Sequence, residues 1–335
     1  MGIDFQEILG RYIELGGIAE NICLREGEHG RGIFPVDPFH YAKILTPKNL
    51  LISRDDLCIS RDCIYVNSSS GYSWKEKEFI ESNYNYAWRD GGNDCAAEFL
   101  KYVSTIPELV KNQLLIFGFI DKKLLNSCPD EKGIFKRFID ERVVGFEGKA
   151  VLAAVWDFVN HSSFAQPLRV TPYGVETPLI EPSSDEILHK YSAGNSSISI
   201  WKKYGFACDC IVAYSIPFQI NLDSKVLTIK CSGQHGLGPK EKQGLSLVGK
   251  VLSIKSLPVG CISIALPREN LKSILSSYGL SGDIANNLFA RICEVNLKAR
   301  CSLIDSLAGP DSGSQAQLYK ALLKEVELIK NSSIC

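Results

Sequence analysis

The sequence lacks an excess of charge of either sign. Across 335 residues, 37 Lys and Arg stand against 38 Asp and Glu, a formal net charge of −1. No global basic field points to nucleic acid, and no block of like charge is long enough to read as a tail. Long apolar runs are missing too. The longest, around residues 114–120 and 150–159, are too short to span a bilayer. The start carries Asp4, Glu7 and Glu14 in place of the basic stretch and apolar run of a signal peptide. Gln6 stands where a myristoylation signal after Met1-Gly2 requires Ser or Thr. These absences predict a soluble, monomeric protein of a reducing compartment, cytoplasmic or otherwise intracellular, with no membrane or nucleic-acid partner. The 12 cysteines include no CxxC pair, and Cys208 and Cys210 have no His or Cys partner at zinc-site spacing. Scattered cysteines of this kind are expected to be small buried hydrophobes, with no metal. Hydrolase chemistry finds little support, with five His and no G-x-S-x-G setting. Gly233-Gln234-His235-Gly236-Leu237-Gly238 has GxxGxG spacing with no Lys-Ser or Lys-Thr after it, and reads as a loop.

What is present is ordinary globular material, 45% hydrophobic and 22% charged, with ample residues for a core. Helical spacing of Phe5, Ile8, Leu9, Tyr12 and Ile13 predicts an opening helix over residues 3–15. Short apolar runs punctuated by Gly and Pro follow, as strands and turns require. Residues 44–52, ILTPKNLLI, read as an apolar strand entered through Pro47. From about residue 74 to 146 the apolar period is three to four, as in Phe99, Tyr102, Val103 and Ile106. Strand-like runs return near residues 168–170, 211–220, 226–229 and 251–254. Helical period closes the chain over residues 268–307 and 315–331, with a loop expected at 309–314. The order β, α insert, β, helical tail predicts an α+β protein: a β-rich fold with a helical insertion at about 74–148 in residues 1–222, and a mostly helical C-terminal domain over 223–335.

Three short elements carry the chemistry. In Glu28-His29-Gly30-Arg31-Gly32-Ile33-Phe34, two glycines flank one residue before a strand, which lets a ligand approach the backbone; alone, a β-turn is the better reading of it. Trp156-Asp157-Phe158-Val159-Asn160-His161-Ser162 ends an apolar run in polar groups, as a capped helix or strand end also would. Asp185 to Tyr191 is an acidic-apolar stretch closed by Tyr, with Tyr204-Gly205-Phe206 after it; single tyrosines are usually core or interface residues.

Taken in order, these elements resemble the SET-domain protein methyltransferases, in particular the branch typified by the Rubisco large-subunit methyltransferases. The resemblance covers roughly residues 23–222 and extends to the tail only in its helical character. It implies an S-adenosylmethionine cofactor, a protein substrate and methyl transfer to a lysine side chain, with histidine the other acceptor in this branch. By resemblance, the backbone of His29, Gly30 and Arg31 cradles the cofactor, and Asn160 and His161 bind its amino-acid and adenine parts. Arg142 pairs with its carboxylate, Tyr191 is the catalytic tyrosine beside it, and Tyr204 and Phe206 line the substrate channel. The sequence departs from the family at Ser184-Asp185-Glu186, where G-E-E is usual, and at Ser192, where Gly is common. The Cys-rich zinc segment of many histone-type members is absent, in keeping with this branch. The rival reading is a SET-like fold that binds a protein partner without turnover.

Overall fold

The computed structural model describes residues 4–191, 196–222, 225–230, 245–263, 266–279, 282–307 and 313–333. The expected loop at 233–238, most of that at 309–314, and Ser192 lie outside them. The architecture is α+β, as the element order implies. The chain divides into two compact units, Met1–Leu100 with Cys128–Tyr191, and Lys101–Ser127 with Ser192–Cys335.

The first unit opens on the expected helix, Phe5–Glu14, whose stripe Phe5, Ile8, Leu9 and Tyr12 is buried. The Tyr12 hydroxyl bonds Thr46 Oγ1 at 2.8 Å, and Thr46 donates to the Ala154 carbonyl at 3.0 Å, which ties the helix to two segments of the sheet region. Small sheets, antiparallel except for the pair Asn160–His161 with Leu188–His189, make up the rest of the β structure. One runs in the order Ile18–Glu20, Lys43–Pro47, Gly174–Glu176, Arg169–Thr171; another is Leu51–Ser53, Lys149–Ala153, Val143–Phe146. Two-residue turns close two of the hairpins. Arg61 (φ 51°) with Asp62 (φ 59°) and Glu147 (φ 49°) with Gly148 (φ 76°) have the paired positive φ that matches strand twist.

Residues 44–52 differ from the single expected strand. Lys43–Pro47 ends at the proline, a 3-10 turn covers Lys48–Leu50, and Leu51–Ser53 joins a different sheet. Pro47 has no N–H for the ladder and ends the strand instead of starting it. The helical stretch is also shorter than expected. It begins at Trp74–Ala87 under a Ser73/Glu76 capping box and ends with Glu131–Arg142. Val143–Phe146 is a strand, because two β-branched residues meet the Glu147-Gly148 turn and pair with Lys149–Ala153.

In the second unit, Phe218–Leu222, Lys225–Lys230, Val251–Lys255 and Leu245–Val248 form a sheet in that order, and Val212–Tyr214 pairs with Pro258–Cys261. Helices Leu266–Ser277, Gly282–Ser306 and Gly313–Ser333 supply the expected helical period. Ile220, Leu227, Leu252, Ile254, Leu271, Phe289, Ile292 and Ile329 form a core of sheet and helix residues. Among the described residues, no helix is long and apolar enough to cross a membrane.

Candidate active site

The glycine element is a hairpin. Ile22–Gly27 pairs with Gly30–Pro35, the chain reverses at Glu28-His29, and Gly30 has φ +86°, a conformation that L side chains rarely adopt. His29, Gly30 and Arg31 are exposed. Gly32 is buried for a different reason, close approach. A Cβ there would lie 2.0 Å from Glu186 Oε1 and 2.8 Å from Asn160 Nδ2. The Arg31 side chain turns away to Asp90, Glu26 (3.3 Å) and the Tyr86 hydroxyl (3.2 Å). Asp90 reaches it because the helical insert kinks at Asp90-Gly91, where Gly91 has φ 89°.

Asn160–His161 is a two-residue strand parallel to Leu188–His189, so two motifs some thirty residues apart lie side by side. The Asn160 amide donates to Glu186 Oε1 at 2.6 Å and to the Arg31 carbonyl at 3.2 Å, which fastens this strand to the glycine hairpin. The Tyr191 N–H donates to His161 Nδ1 at 3.1 Å. An N–H can only donate, so Nδ1 is the acceptor and the neutral ring carries its proton on Nε2, 3.2 Å from Ser163 Oγ. Burial depresses His161 to about 4, with Lys190 and His29 close enough to push the same way. Burial, with His161 second, depresses His189 to about 3. Both rings are neutral near pH 7. They flank Tyr191, with ring centroids 4.8 Å and 4.6 Å away. The Tyr191 hydroxyl donates to the Val159 carbonyl at 3.3 Å, and burial raises its phenol well above the ordinary range.

Arg142, at the end of the insert, is already engaged by acids. Its Nε lies 3.6 Å from Asp157 Oδ1, and its Nη1 lies 3.7 Å from Glu141 and donates to the Phe138 carbonyl at 3.0 Å. Burial lifts Asp157 to about 6, against the opposing pull of Arg142, Asn83 and Tyr84. Asn83 bridges the cluster, donating to Asp157 at 3.2 Å and accepting from the Val155 N–H at 3.2 Å. Val155 has φ 72°, a strained value for a buried β-branched residue, directly before Trp156–Phe158.

Gly30, Arg31, Arg142, Asn160, His161 and Tyr191 thus all belong to the first unit, and His29 lies near His161. Tyr204 and Phe206 belong to the second. They flank Gly205, which caps helix Ser197–Tyr204 at φ 84°, and their rings pack 6.1 Å apart. Sequence reasoning passed over Glu186, Asp157, Asn83 and Asp90 as site residues. The first two stand inside the motifs read, and their acidic character was the available signal. Asn83 and Asp90 lie in the insert, and nothing in a helical period marks them. The backbone at His29 to Arg31, the bare Gly32 and the polar atoms of Asn160 and Glu186 fit a small ligand bearing an amino-acid group. Among the described residues no group of three or more His, Cys, Asp or Glu is placed to hold a metal.

No family model and no curated protein matches the chain. Solved structures do resemble it. The SET domain of LSMT bound to lysine and AdoHcy, and Rubisco LSMT bound to AdoMet, are each 13% identical, with a TM-score of 0.45. Each match covers 98% of this chain and 90% of that one. A Rubisco LSMT bound to sinefungin and monomethyllysine follows at 12% identity and a TM-score of 0.43.

Proposed function

We propose that this chain is an S-adenosylmethionine-dependent protein methyltransferase of SET type that methylates a lysine side chain of a protein substrate. One observation carries the reading. Three motifs distant in sequence, the glycine hairpin, Asn160-His161 and the stretch ending in Tyr191, are joined by direct hydrogen bonds. In this reading the backbone of His29, Gly30 and Arg31, with Asn160 and His161, holds the cofactor, and Arg142 serves its carboxylate. Residues 1–222 hold the cofactor and the catalytic Tyr191; Tyr204 and Phe206 line the substrate channel, and the helices of 223–335 select the protein. The working form is a monomer, and the reaction needs no metal.

The cofactor, when bound, supplies a methyl group on a sulfonium. The protein's part is alignment and removal of water. Tyr191, kept protonated by burial, offers no phenolate to act as a base, so it orients and takes no proton from the acceptor amine. That amine must be neutral to attack, although free Lys titrates at about 10.4. Tyr204 and Phe206 would supply an apolar aromatic lining, which disfavours the ammonium form. Neutral His161 and His189 wall the tyrosine without adding a positive charge.

Calorimetry tests the reading. The purified protein should bind S-adenosylmethionine or its demethylated product, and saturating cofactor should raise its melting temperature. Incubation with labelled cofactor and lysate, followed by mass spectrometry, should place the label on lysine. Absence of cofactor binding sinks the proposal. Binding without turnover on any lysate favours a non-catalytic partner-binding protein.

A further inference from the structure

We infer that Glu186 reads the α-ammonium group of the ligand, so that this site selects an amino-acid-bearing nucleoside over the same molecule without its amine. The inference rests on the reading above, that the Gly30–Gly32 corner holds an S-adenosylmethionine-type ligand. It adds a residue to which that reading gives no role.

The argument begins with the glycines. Gly32 has no positive φ to justify it; it is bare because the Glu186 carboxylate lies over it, 2.0 Å from where a Cβ would stand. A Cβ at Gly27, on the facing strand, would lie 2.6 Å from the Phe34 ring and 3.2 Å from the other carboxylate oxygen. The carboxylate therefore lies against both strands of the hairpin. Asn160 comes next. Its amide has two protons; one goes to Glu186 Oε1 and the other to the Arg31 carbonyl. With both committed, the corner presents acceptors: the Glu186 carboxylate, the Arg31 carbonyl and the Asn160 side-chain oxygen. An ammonium group is the complement, with three donors and no acceptor.

Charge points the same way. The Arg31 guanidinium, on the same hairpin, is engaged elsewhere, with Asp90 and Glu26. Glu186 is half-buried, and among the described residues its hydrogen-bond partner is the neutral Asn160 amide. A partly desolvated carboxylate beside a neutral amide gains from a ligand cation, and a charge-assisted hydrogen bond is the stronger kind. A ligand carboxylate at the same corner would meet like charge, so the ligand's amine, not its carboxylate, faces Glu186.

The test uses the full chain, calorimetry and two probes: S-adenosylhomocysteine and its desamino analogue, which lacks only the α-amine. Wild type should bind the amino ligand about 10- to 100-fold more tightly than the analogue. Glu186→Gln keeps the shape over Gly32 and an oxygen for Asn160. It should weaken the amino ligand by a similar factor and leave the analogue within about 3-fold. Glu186→Asp, which restores the charge on a shorter arm, should recover part of the lost affinity. Equal binding of the two probes by wild type overturns the inference without any variant. So does a Glu186→Gln protein that loses both probes equally, as a purely structural role predicts, or one that binds the amino ligand unchanged or more tightly. If wild type binds neither probe, the cofactor reading itself falls and this inference with it. That result is distinct from wild-type binding without discrimination.

Discussion

Burial fixes the protonation of the three rings around the site, and with it what each can do. Burial holds the Tyr191 phenol well above its ordinary value, so its hydroxyl is protonated near pH 7 and can donate. Tyr191→Phe removes that donor and keeps the ring between His161 and His189. Losing one positioning hydrogen bond in a transition state costs about 2 to 4 kcal/mol, or roughly 30- to 1000-fold in turnover. Turnover of a labelled target should fall by that factor, while cofactor affinity and melting temperature stay close to wild type. Equal turnover removes Tyr191 from the mechanism. His161 gives a second expectation, in pH. Its folded pKa, about 4, lies below the unfolded value, so the unfolded chain takes up the proton first as pH falls. Its contribution is therefore fully present above about pH 6.5 and lost as pH falls through about 4. Between pH 7 and pH 5 the loss is about 2 kcal/mol. Urea unfolding at the two pH values should show a smaller drop for His161→Gln than for wild type; identical drops contradict a buried neutral ring. Asp157, raised to about 6, works in the opposite sense, so the comparison between variants is more informative than the wild-type curve alone.

Short elements, more than long helices, position this site, and they are where sequence and structure part. The opening helix was legible because four buried residues recur at helical spacing. So were the strand after the glycine motif and the closing helices. The pairing of Leu188–His189 with Asn160–His161 was not legible, since two residues carry no period and their partnership is parallel and remote. The hydrogen bonds from Asn160 to Glu186 and Arg31 escaped notice for the same reason: sequence distance hides contact. At Pro47 the signal was present and its direction was misread, because a residue without an N–H ends a ladder as readily as it begins one. Gly32→Ala tests the element as a unit. The new Cβ must displace the Glu186 carboxylate and crowd the Asn160 amide, and neither is the free end of a surface chain. Overpacking of this kind costs about 1 to 3 kcal/mol. Cofactor affinity should drop by about 10-fold or more, since both polar groups leave their positions. Gly71→Ala, with nothing within 4 Å of its Cβ, is the control. Unchanged affinity in Gly32→Ala would mean the corner is no part of the ligand site.

At the scale of the whole molecule, each unit has a hydrophobic core of its own. The second unit contains a charged centre with no counterpart in the sequence pattern. Arg300 and Glu325, 0% and 1% exposed, pair at 2.7 Å. Arg300 also donates to the Tyr214 carbonyl at 2.7 Å and to Asn296 at 2.9 Å, and Glu325 accepts from the Ile198 N–H at 3.0 Å. Asn296 in turn accepts from the Ile216 N–H and donates to Ser215. One ion pair thus unites four segments of the unit, and Phe119 brings in a fifth by stacking 5.1 Å from the Arg300 guanidinium. Two charges in two amphipathic helices look like ordinary surface residues until the fold pairs them, which is why this centre was invisible in one dimension. Removing one partner strands the other in an apolar interior, at a cost of about 3 to 5 kcal/mol. Glu325→Ala should therefore lower the unfolding midpoint sharply, and Arg300→Met with Glu325→Leu should recover much of the loss, because no lone charge remains. The proposed cofactor corner, Gly30–Gly32 with Asn160 and Glu186, belongs wholly to the first unit. Calorimetric affinity for S-adenosylhomocysteine, measured well below the transition, should stay within about 3-fold of wild type in Glu325→Ala. If affinity collapses along with the midpoint, the ligand site depends on the second unit, and the assignment of cofactor binding to residues of the first alone is wrong.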